Sequence, residues 1–112
     1  MTKDNSIYLN HILDAINSIL SFTEDLDLEG FLNNKLVKDA TIRNLEIIGE
    51  AAKNLTPDYR KKHPEVDWKG MAGMRDKLIH HYMGVDIPSV WGVIVEVLPD
   101  LNQKISMFLE EF

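Results

Sequence analysis

With 112 residues, 45 % of them hydrophobic and 27 % charged, the chain has the size of one domain and is too apolar for disorder. Twelve Lys and Arg against eighteen Asp and Glu give a formal net charge of −6, which argues against a broad basic face that coats duplex nucleic acid and leaves room only for a local site. Cysteine is absent, so disulfide frameworks, thiolate metal sites and thiol nucleophiles are excluded, which suits a reducing cytoplasm.

Residues 1–12 lack a basic region leading into an apolar stretch, and no apolar run approaches the roughly 18 to 20 residues that cross a bilayer, so neither export nor a membrane span is expected. Over residues 7–22, Leu9, Ile12, Leu13, Ile16, Ile19 and Leu20 recur at three and four, which predicts a helix with one buried stripe, capped by Asp4 or Asn5. Helical spacing returns over residues 28–55 and predicts one long helix, bent near Asn33 and Asn34 and stopped by Pro57. Gly49 inside it costs about 1 kcal/mol relative to alanine, which a closely approaching neighbour would explain.

Residues 56–67 carry two prolines and six charges and read as a connector with a short helical turn at 58–62. Asp67 can cap a third helix from Trp68 to Tyr82, with Gly84 as its stop. Pro88 suits the first turn of a fourth helix that kinks or restarts at Pro99, and Leu101, Ile105, Phe108 and Leu109 mark an amphipathic last segment. No stretch alternates as a strand does. The expected fold is therefore all-α, an up-and-down bundle of four to five helices in a single domain, residues 1–112.

The chemistry concentrates in residues 73–84, where Arg75, Asp76, His80, His81 and Tyr82 follow one another closely. Metal-free RNA cleavage needs a base for the ribose 2′-hydroxyl, an acid for the leaving oxygen and a cation for the phosphorane. Histidine suits the first two roles and arginine the third. At 100° per residue, Arg75 and Tyr82 fall almost on one line, whereas Arg75 and His80 stand about 140° apart and do not converge within one regular helix. Either the helix loosens near its end or the pair is completed across a two-fold axis, and the second is favoured. Asp76 and His80 are four apart, so the carboxylate can orient the imidazole. No two histidines have the spacing of a helical metal site, so neither a metal nor a cofactor is expected.

Arg75-x-x-x-x-His80-x-Tyr82, with the polar Asp76 after the arginine, resembles the HepT-like family of the HEPN superfamily. The likeness extends to Asn44-Leu45-Glu46-Ile47-Ile48-Gly49-Glu50-Ala51-Ala52 and to Trp68-x-x-Met71-Ala72-Gly73, and covers about residues 7–109. The resemblance implies a homodimeric, cytoplasmic endoribonuclease toxin that cuts tRNA or mRNA without metal, with Arg75 and His80 of both protomers facing a shared cleft. It also implies a minimal nucleotidyltransferase (MNT) antitoxin that silences the toxin by transferring AMP to Tyr82, giving O-AMP-tyrosine. The alternative is a catalytically silent helical partner that presents substrate to that nucleotidyltransferase, which the acidic composition supports.

Several residues also have plainer readings. His11 and His63 are expected to face solvent or cap helices, and Tyr82 alone would be a half-buried aromatic. Met71, Met74 and Leu78 with Trp68 and Trp91 read as core or dimer interface. Glu46 and Glu50 read first as a solvated pair, with a place beside the cleft as the alternative.

Overall fold

Asp4 opens the first helix, its carboxylate accepting the Ser6 backbone N–H at 3.0 Å. The computed structural model describes residues 4–80 and 86–112, with His80 described by its backbone alone. Helix α1 (Asn5–Thr23) buries Leu9, Ile12, Ile16 and Ile19 completely on one stripe. Asn5, the other expected cap, has a different task. Its amide donates to Thr56 Oγ1 at 3.2 Å and accepts the Thr56 N–H at 3.0 Å, tying the start of α1 to the connector.

The expected helix over residues 28–55 is two helices, α2 (Leu28–Leu32) and α3 (Lys35–Asn54). At the break, Asn34 takes an extended backbone and its side chain accepts the Val37 N–H at 3.0 Å. A short amide that satisfies a free N–H of the next turn favours ending one helix and starting another over bending through. Asp27 caps α2 in the same way through Gly30 N–H at 2.8 Å.

Thr56 caps α4 (Pro57–Lys62), the short turn expected in the connector. Asp67 accepts the Gly70 N–H at 2.9 Å and opens α5 (Trp68–His80). The expected continuation to Tyr82 and the stop at Gly84 lie outside the described residues. Asp86 caps α6 (Ile87–Gly92), which has Pro88 in its first turn. A π-helical turn, Val93–Val97, then leads into α7 (Leu98–Leu109), and the Leu98 N–H reaches back to the Val93 carbonyl. Pro99 lacks an N–H and crowds the preceding turn, and the wider π turn is how the chain carries it without stopping.

Helix α3 is the centre of the assembly, packing most extensively against α5 and α1, while α1 packs in turn on α7. Leu45 and Ile48 of α3 meet Leu78 of α5, the α1 stripe, and Leu101, Ile105 and Phe108 of α7 in one buried core. Phe31 of α2 and Trp91 of α6 join the short helices with ring centroids 5.2 Å apart. The result is an all-α bundle of four long helices with shorter ones between them, and the described residues contain no strand. Trp68 and Leu78 are core, with Met71, Met74 and Trp91 packed against it.

His63 takes the second of its two expected roles, as a cap. It ends α4, and its ring lies 4.4 Å from that of Tyr59 and 4.3 Å from that of Phe108 instead of facing solvent. The Tyr59 hydroxyl is buried and finds no hydrogen-bond partner among the described residues. Burial, reinforced by the charges of Glu111 and Glu65, pushes this phenol up from 10.0 to about 12. Between these values the folded chain keeps a proton that the unfolded chain releases, so stability falls as pH rises through that window. Ultraviolet titration of the folded protein should resolve one late phenol that Tyr59→Phe removes, together with the alkaline loss of stability.

Candidate active site

The site begins with the glycine of α3. A Cβ on Gly49 would lie 2.7 Å from the Met71 carbonyl oxygen and closer still to the Cβ of Arg75. Only a residue without a side chain lets α5 cross α3 at this depth, so the helical penalty of Gly49 accompanies the close approach expected from the sequence. That approach places Arg75 directly over α3.

Held there, the Arg75 side chain is 25 % exposed, with its stem against α3 and its Nε buried without a partner among the described residues. Nη2 stands 3.0 Å from Glu50 Oε2 and Nη1 donates to Asp76 Oδ1 at 3.0 Å. Two carboxylates on the two arms of the fork fix its plane while leaving further N–H donors for an anion. Lys53 Nζ lies 3.7 Å from the same Asp76 oxygen, so α3 and α5 are also joined by charge beside the arginine. Glu50 is thus a partner of the motif arginine, and not merely a solvated helix residue.

A cleft of about 330 Å³ opens beside Arg75. Tyr8 and His11 of α1 line it, with Ile47 and Ala51 of α3 and Ile79 of α5. Arg43, Glu46, Glu50 and Asn54 supply its polar lining, and Arg43 Nη1 stands 3.7 Å from Glu46 Oε2. The rings of Tyr8 and His11 meet edge to face with centroids 6.2 Å apart. The sequence does not single out Tyr8 or Arg43, and it offers His11 only as a solvent-facing or capping residue. His11 is exposed, yet it is exposed into this cleft. Its signal was faint, because residues off the apolar stripe of α1 reveal nothing about which helix stands beside them.

Of the four site residues expected from the motif, Arg75 lines the cleft and Asp76 is in contact with that arginine. His80 follows them as the last residue of α5, and its side chain, like His81 and Tyr82, lies outside the described residues. Among the described residues, no group of three or more His, Cys, Asp or Glu could hold a metal ion, and no helix is long and apolar enough to cross a membrane.

The sequence profile of the family described as "Ribonuclease HepT-like" matches residues 12–108. A protein of Thermococcus cleftensis named "Probable ribonuclease HepT" is 46 % identical over 104 residues, which is 93 % of this chain and 94 % of the relative. A Methanocaldococcus jannaschii protein named "Putative RNase" is 41 % identical over 109 residues, covering 97 % of this chain and 90 % of the relative. A second protein of that organism, "Gamma-glutamylcyclotransferase and putative RNase", is 45 % identical over 111 residues, or 99 % of this chain and 50 % of its own length. No solved structure was found to match. Matched along most of its length, with the motif arginine set over the glycine of the central helix, the chain belongs to the HepT-like ribonuclease family of the HEPN superfamily.

Proposed function

We propose that this chain is the toxin of a HEPN/MNT toxin–antitoxin pair, an endoribonuclease that cuts single-stranded RNA, tRNA or mRNA, without metal. The observation that carries the reading is the Arg75 guanidinium, steered by Glu50 and Asp76 to the edge of a cleft in an otherwise acidic chain. An anion can be held there by a few local cations, so the net charge of −6 is no obstacle.

In this reading His80 handles the proton. It takes the proton of the ribose 2′-hydroxyl, the 2′-oxygen bonds to phosphorus, and the 5′-oxygen leaves with a proton from an imidazolium. The products are a 2′,3′-cyclic phosphate and a free 5′-hydroxyl. Arg75 grips the non-bridging oxygens and gains most as charge builds on the phosphorane. Asp76 holds the guanidinium and is suited to orient His80 one turn later. Because Arg75 and His80 stand about 140° apart around a helix, the second partner of each comes from another chain, so the working unit is a homodimer with a shared cleft.

Control would act on Tyr82. Its phenolic oxygen attacks the α-phosphorus of ATP in the nucleotidyltransferase antitoxin, pyrophosphate leaves, and the AMP ester puts bulk and negative charge near the face of Arg75. The test is direct. Purified protein should cut a labelled single-stranded RNA in excess chelator and leave cyclic-phosphate ends; cleavage that appears only on adding a divalent metal would refute the scheme.

A further inference from the structure

We infer that the cleft between α1 and α3 is a base-binding subsite, which seats one unpaired base of the nucleotide flanking the phosphate held by Arg75. The proposal rests on the nuclease reading only for where the phosphate lies; that a base occupies the cleft is argued from its walls.

Those walls suit a flat, partly apolar ligand. Ile47 and Ala51 line the cleft, and the edge-to-face pair Tyr8 and His11 adds an aromatic side. The volume of about 330 Å³ lies at the low end of the roughly 300 to 1,000 Å³ typical of small-ligand sites, the scale of one nucleotide. Glu46 and Glu50 make the interior hostile to a bare phosphate, while Arg43 and Arg75 offer two separate cations to the backbone on either side of a base. Unpaired bases are recognised in this way, by stacking on aromatic rings with cations tracking the chain. A paired base is already stacked between its neighbours and cannot enter, so the subsite selects single-stranded RNA.

The experiment measures binding of an uncleavable 2′-O-methyl RNA by fluorescence anisotropy, so its outcome does not depend on catalysis. Tyr8→Ala and His11→Ala are each expected to weaken binding by on the order of tenfold, and the duplex of the same sequence should bind at least as poorly. A single abasic position, scanned along the strand, should cost the wild type a similar factor at one place and cost Tyr8→Ala little more there. Tyr8 packs against the core, whereas His11 is exposed, so His11→Ala gives the answer even where the tyrosine variant fails to fold. Unchanged affinity in His11→Ala, or an abasic penalty equal in wild type and variant, would overturn the subsite. Binding of this pattern by a protein that never cleaves RNA would instead refute the nuclease and leave the subsite standing.

Discussion

Arg75→Lys should lower kcat/KM on single-stranded RNA by about a hundredfold or more while leaving the melting temperature within a few degrees of wild type. The two halves of this expectation have separate causes. The guanidinium meets Glu50 and Asp76 with different nitrogens, each at 3.0 Å, and presents the remaining donors as a plane. A lysine ammonium is a point charge that cannot reproduce that fork. It would pair with one carboxylate and leave the other to repel an incoming phosphate. Stability changes little because Glu50 and Asp76 are both about half exposed, and ion pairs of that kind contribute about 0 to 1 kcal/mol. Steady-state kinetics alongside thermal melting would check both halves. A lysine variant within threefold of wild type would mean that charge alone, without the planar fork, suffices.

Gly49→Ala should destabilise the fold by up to about 2 kcal/mol, against the direction of helix propensity. Alanine is the better helix former by about 1 kcal/mol, so an exposed helical glycine would gain from the change. Here the added methyl meets the Met71 carbonyl and the Arg75 stem, and α5 must move away from α3 to admit it. Overpacking of this kind costs about 1 to 3 kcal/mol. The same movement shifts Arg75 relative to Glu50, so RNA cleavage should fall in the folded variant as well. Denaturant unfolding would settle the sign: a variant more stable than wild type would show that α5 does not rest on Gly49.

How far these features could be read from the sequence depended on the range of the interaction behind each. Asp4, Thr56 and Asp67 act on the next turn of their own chain, and the Asp4 and Asp67 caps and the stop at Pro57 were legible. The division of residues 28–55 was less so, because apolar spacing continues on both sides of Asn34 and only the bond to Val37 N–H reveals the break. Gly49 announced a close neighbour without naming it. That the neighbour is Arg75 depends on how α5 crosses α3, which no local pattern contains. The same limit hid His11, which shares a cleft with Arg75 although they stand far apart in sequence. The ring packing of His63 was hidden for the opposite reason. Its prolines and charges suggest a solvated connector, yet the rings that cover it come from Tyr59 nearby and from Phe108 at the other end of the chain.

In the proposed nuclease, two copies of α5 assemble one catalytic centre, with arginine from one chain and histidine from the other. The most direct measurement is cleavage by a purified heterodimer in which one chain carries Arg75→Ala and the other His80→Ala. Each parent homodimer should be inactive, while the heterodimer keeps one complete pair and should recover roughly half of the wild-type rate. A heterodimer as inactive as its parents, from chains that fold and associate normally, would contradict a centre shared between protomers.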